Sequence, residues 1–107
     1  MRWYKPLYMG ESIAKKKMRI IWKIRHNVLQ PNIFLILLST NGKDNFKIIP
    51  SALFLQKFYP KDDEYILGIA KGTDEAAKLI GKMVDDALKA CEDPHKIRDY
   101  FNQQEDI

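Results

Sequence analysis

Tyr65 to Cys91, YILGIAKGTDEAAKLIGKMVDDALKAC, constrains the fold of this chain more than any other stretch. Its opening run, Tyr65-Ile66-Leu67-Gly68-Ile69-Ala70, is too apolar for an exposed loop and too short for a helix of its own. Lys71-Gly72-Thr73-Asp74 breaks the run, and Thr73 or Asp74 is placed to cap a helix by accepting a backbone N–H. At about 100° per residue from there, Ala76, Ala77, Leu79, Ile80, Met83, Val84, Ala87, Leu88 and Cys91 share one half of the wheel. Asp74, Glu75, Lys78, Lys82, Asp85, Asp86 and Lys89 share the other. A buried strand running straight into an amphipathic helix is half of an α/β layer, so the remaining chain must supply a sheet and its cover.

The 107 residues suffice for one domain, 1–107, with a single core. With 46% apolar and 30% charged residues, the chain has the composition of a globular protein and not of a disordered one. One cysteine, Cys91, excludes an internal disulfide and a cysteine-built zinc cluster. No apolar segment follows Met1-Arg2, so no signal peptide is expected. The longest apolar run, Ile33 to Leu38, falls far short of the roughly 20 residues of a membrane span. The expected setting is the cytoplasm, with no membrane partner.

The first ten residues, MRWYKPLYMG, read as an edge strand or extended arm, because Pro6 cannot donate to a ladder. A helix is predicted over 11–28 with Ser12 as its N-cap. Ile13, Ala14, Met18, Ile20, Ile21, Ile24 and Val28 form its apolar face, and Lys17 must snorkel out of that face along its own stem. Gln30-Pro31-Asn32 turns the chain into Ile33 to Ser39, which is apolar on both alternating faces as befits a central strand covered on both sides. Asn41-Gly42 supplies hairpin chemistry, and Asn45 to Ile49 returns as a more exposed strand. Ser51 is the expected cap of a short helical segment, Ala52 to Phe58, that crosses back to the strand at Tyr65. The Ile33 strand is then expected between its hairpin partner and the Tyr65 strand, and Gly68 marks a close approach by another backbone or a bulky side chain. Asp93-Pro94 opens a last helix with Ile97, Tyr100 and Phe101 on one face. The fold class expected is α/β in two layers. A small mixed sheet of three to four strands packs against two long amphipathic helices and a C-terminal one.

Charge is distributed unevenly. Residues 1–61 carry twelve Lys/Arg against Glu11 and Asp44, whereas residues 62–107 carry six Lys/Arg against twelve acids. Lys15, Lys16, Arg19, Lys23 and His26 line the polar face of the first helix, with Arg25 and Trp22 at its margin. Clustered Lys and Arg on one helical face fit phosphate contact, and an adjacent indole fits stacking on a base. The same stripe also fits a solvated face, or one that meets the acids of the second long helix.

Catalytic chemistry is not announced. The Gly68-to-Thr73 turn has its glycines one residue too close for a phosphate-binding loop, and Lys71 precedes Gly72 instead of following it. His26 and His95 lie on different helices without a third metal ligand, and Cys91 sits on a buried face. Neither a cofactor nor a metal is expected. Trp3, Tyr4, Tyr8, Tyr59, Tyr100 and Phe101 are many rings for so small a core and several fall in terminal or loop segments. They are therefore read as an interface for a second copy or a protein partner.

GESIAKKK at 10–17, IFLILLS at 33–39, IIPS at 48–51 and ILGIAKG at 66–72 resemble strings in a group of short bacterial proteins, some associated with mobile or conjugative elements. The resemblance implies a compact accessory protein and carries no activity or site residue with it. The function expected is non-catalytic, by self-association or protein docking, with nucleic-acid binding through the first helix as the alternative.

Overall fold

In the computed structural model the described residues are 2–39, 45–60 and 64–102. The Asn41-Gly42 turn, most of the Asp62-Asp63-Glu64 run and the tail beyond Asn102 lie outside them.

The strands are β1 (Arg2–Met9), β2 (Ile33–Leu38), β3 (Phe46–Pro50) and β4 (Tyr65–Lys71), and the helices are α1 (Lys17–Arg25), α2 (Gly72–Cys91) and α3 (Ile97–Asn102). Short 3₁₀ turns occupy Glu11–Lys16, Ser51–Leu55 and Pro94–Lys96. The sheet order is β1-β4-β2-β3, with β1 parallel to β4 and the other pairs antiparallel. The predicted mixed α/β fold is therefore present. β2 lies between β3 and β4 as its doubly apolar pattern requires, and the N-terminal segment is an edge strand.

The helices divide between the two faces, so the sheet is the middle of three layers and not one of two. Tyr4, Ile36, Leu38, Tyr65 and Leu67 pack against Leu79 and Met83 of α2 and Ile97 and Phe101 of α3. On the other face Trp3, Leu35, Leu37, Ile66 and Ile69 pack against Ile13, Ile20 and Ile24 and against Phe54 of the second 3₁₀ turn. Between Ile36↔Gly68 and Leu37↔Ile66 the register slips by one, so Leu67 is an extra residue that reverses which side chains face α2. Gly68 has the close neighbour expected of it. A Cβ there would stand 3.1 Å from Tyr8 Cβ and 3.2 Å from the Tyr8 carbonyl oxygen.

Three predicted caps are replaced by other contacts. Ser12 does not cap: its Oγ donates to Glu75 Oε2 at 2.6 Å, across to α2. Lys71 takes the N-cap position of α2 in place of Thr73 or Asp74. Glu75 reaches back so that Oε1 accepts the Lys71 N–H at 3.0 Å. Burial pushes the Glu75 carboxyl up, but the hydrogen bonds from Ser12 and Lys71 outweigh it and leave it below the usual carboxylate range. Ser51 starts a 3₁₀ turn capped by Pro50, and its hydroxyl donates to the Gln30 carbonyl at 3.2 Å. Asp93 does cap as predicted, accepting from the His95 N–H at 2.9 Å.

The first helix is shorter than predicted at both ends. Its opening residues form a 3₁₀ turn. Its end comes at Arg25, where Asn27 adopts φ 57 and the Asn27 and Val28 N–H groups return to the carbonyls of Ile24 and Lys23. That is a left-handed terminator built on asparagine, one of the few residues besides glycine that tolerates it. Within α1 only Ile20 and Ile24 are buried. At about 100° per residue Met18 then lies roughly 140° from the buried direction, and it is 74% exposed instead of facing the core. Ala14, Val28 and, in α2, Ala77 are likewise exposed.

Candidate nucleic-acid interface

The first helix lies across the sheet from α2, because the two helices pack on opposite faces. Lys15, Lys16, Arg19, Arg25 and His26 are exposed and Lys23 is half-buried. Among the described residues the ion pairs are Lys47 with Glu64 at 3.1 Å and Lys89 with Asp85 at 3.4 Å; none involves the α1 stripe. Pairing of the stripe with α2 is thereby removed as an account of it.

Three of the predicted residues converge. Lys16, Arg19 and Lys23, spaced three and four apart, stand on one flank of the helix and line an open groove of about 260 Å³. Ile13, Ile20, Leu29, Pro31 and Ile33 supply its apolar lining, and Lys71, at the carboxyl end of β4, also lines it. Among the described residues no carboxylate lines this groove. The other predicted residues sit elsewhere on the helix. The Arg25 guanidinium lies 5.3 Å from the centre of the Trp3 ring, where it covers the edge of the core. His26 stacks on Trp22 with ring centres 4.1 Å apart, and its Nδ1 donates to the Trp22 carbonyl at 2.7 Å. Trp22 remains 55% exposed beside the cations.

Sequence reasoning missed Lys71 as a member of this group. It is far from α1 in the chain, and the pairing of β4 with β2, which sets Lys71 opposite Ile33, brings it near. A weaker signal was available in the architecture: adjacent parallel strands whose following helices depart to opposite faces leave a crevice at their carboxyl ends. β1 and β4 are such a pair. A second cavity, about 470 Å³, opens there between Gly10-Glu11 and the first turns of α2, again with Lys71 on its wall. It is of mixed charge, with Glu11, Asp74 and Glu75 opposite Lys71, Lys78 and Lys82. Glu75 within it is already engaged by Ser12 and the Lys71 N–H.

The rings expected at an interface belong instead to the core or its margin. Trp3, Tyr4 and Phe101 are buried, and Tyr8, Tyr59 and Tyr100 are half-buried. Pairing of β1 with β4 carries Tyr4 and Tyr8 under α3, where Phe101 meets Tyr4, Tyr8, Phe46 and Tyr100 edge-on at 5.0–6.2 Å. Tyr8 donates to Asp86 Oδ2 at 2.7 Å, and Tyr59 donates to Glu64, which also holds Lys47. Burial first, then these acceptors, raises the hydroxyls of Tyr8 and Tyr59 above the ordinary tyrosine range; burial and Tyr100 do the same for Tyr4. Among the described residues the large apolar side chains left outside are Met18, Trp22, Leu29 and Phe58, with Val28 and Ile48 less so.

Among the described residues, no helix is long and apolar enough to cross a membrane, and no group of three or more His, Cys, Asp or Glu is placed to hold a metal ion. Comparison with protein-family models, with curated proteins and with solved structures found no match.

Proposed function

We propose that this chain is a non-catalytic accessory module of the cytoplasm that binds nucleic acid through the outer surface of the first 3₁₀ turn and α1. The observation that carries the reading is a set of cations, Lys15, Lys16, Arg19 and Lys23, that form no ion pair among the described residues, on the opposite side of the sheet from α2, with an exposed Trp22 among them. Phosphate contact by such side chains supplies affinity and register without base recognition. The test is fluorescence anisotropy on labelled DNA and RNA of random sequence across a salt titration. Binding that weakens steeply with salt is expected, and replacing Lys16, Arg19 and Lys23 together with Glu should abolish it while the circular dichroism spectrum stays unchanged. Wild-type protein that binds nothing at low salt, or binds indifferently to salt, sinks the proposal.

A second reading, self-association or docking to a protein, is favoured by a different surface. Among the described residues β3 pairs only with β2, leaving its outer edge open; Ile48 of this strand is partly exposed, and Phe58, elsewhere on the surface, is 91% exposed. Light scattering after size exclusion tests the homodimer: a monomer at high micromolar concentration removes it.

A further inference from the structure

The groove beside α1 differs from the rest of the basic surface in having an apolar floor, and that difference bears on which nucleic acid is taken. Resting on the proposed nucleic-acid reading, we infer that the groove holds one unpaired nucleotide, so that the protein selects single strands over duplex. Lys16, Arg19, Lys23 and Lys71 line it together with Ile20, Leu29 and Pro31, and we take the cations as its rim and the apolar groups as its floor. The groove's volume of about 260 Å³ suits one flat base and its sugar. A duplex presents its phosphates to the rim equally well, but its bases are stacked inside and cannot reach the floor. A single strand turns one base down onto Leu29, which is 61% exposed, while the flanking phosphates meet the four cations.

The floor also bears on sequence preference. Gln30 is the polar side chain nearest to it, and its Nε2 is committed to the Ile20 carbonyl at 3.4 Å. With that donor engaged and the other named floor groups apolar, the inferred preference is for an unpaired base over a paired one, with at most a weak preference among bases. Lys71 enters this group from the far half of the sequence. Its backbone N–H donates to Glu75 Oε1 at 3.0 Å.

The experiment compares binding of the whole chain to an unstructured oligothymidine and to a duplex, each about 15 units long, at matched salt by anisotropy. The single strand should bind about tenfold tighter. Leu29→Ser, at an exposed site, should weaken the single strand about fivefold and leave the duplex unchanged. Lys71→Ala should reduce the slope of log affinity against log salt by about 0.7 for the single strand. Equal or tighter binding of duplex overturns the inference while the broader reading stands. So does a Leu29→Ser variant, folded by urea titration, that changes both ligands alike or neither. Failure of the wild-type chain to bind either ligand removes both readings together.

Discussion

The two faces of the sheet solve the same packing problem with opposite consequences. α2 lays four buried residues, Ala76, Leu79, Met83 and Ala87, along the sheet, and α3 with its Phe101 closes the end. α1 is less than half as long and commits only Ile20 and Ile24. The charges follow. Residues 72–102 hold five Lys/Arg against seven acids, so that face is nearly self-compensating, with Lys89 paired to Asp85 and Asp86 to Tyr8. Residues 11–31 hold six Lys/Arg against Glu11 alone. A long helix that buries its apolar stripe leaves a surface with little to offer a partner. A short helix that buries two isoleucines leaves Met18, Trp22 and a row of cations outside.

This contrast predicts unequal costs of mutation. The largest belongs to Phe101→Ala: removing the ring that Tyr4, Tyr8, Phe46 and Tyr100 all touch should cost about 3–5 kcal/mol in chemical denaturation. A cost under about 1 kcal/mol would show that the α2–α3 face is not the tighter of the two. Next comes Gly68→Ala, at the bulge. The new methyl would meet Tyr8 at 3.1–3.2 Å and Leu79 at 3.3 Å, for a loss of about 1–3 kcal/mol by the same measurement.

Ser12→Ala probes the link between the faces, since Ser12 ties the start of the basic segment to Glu75 of α2. A loss of about 1 kcal/mol is expected near neutral pH. The folded-state pKa of Glu75 is depressed, so the stabilisation it brings is present above the ordinary carboxylate value and is lost as pH falls through the folded value. Stability curves of wild type and variant should therefore converge in acid; curves that stay parallel would separate the Ser12 contact from the ionisation of Glu75. At the other end of the scale, the tyrosines on the core side have raised pKa values, so their contribution is intact below the ordinary tyrosine value and is lost as pH rises beyond it. Tyrosinate absorbance should appear together with unfolding above about pH 10. Smallest of all, Met18→Ser on the outer surface of α1 should change stability by less than about 0.5 kcal/mol. A larger loss would mean that this surface is part of the core after all.

Much of this molecule was legible from local pattern. Ile33 to Ser39 reads as a central strand because both of its alternating faces are apolar, and it is one. The strand-to-helix unit from Tyr65 to Cys91 and the cap at Asp93 also stand where their residues place them. Local pattern failed where a side chain had a distant alternative. Ser12 and Ser51 look like caps, but their hydroxyls go to Glu75 and to the Gln30 carbonyl. Trp3, Tyr4 and Phe101 look superfluous to a small core until β1 joins β4 and brings the terminal rings together. Of the candidate site, Lys16, Arg19 and Lys23 were visible by helical spacing and Lys71 was not.

By itself the order of residues determined the strands, the helices, the cation row on the first helix and the unequal charge of the two halves, because periodicity and charge are properties of neighbours along the chain. Only the tertiary structure decided that α1 and α2 take opposite faces, and that Lys71 joins Lys16, Arg19 and Lys23 in lining one groove. A helical stripe specifies that a helix must cover a sheet. Which side it covers depends on strand pairings between segments far apart in sequence, which no local pattern records.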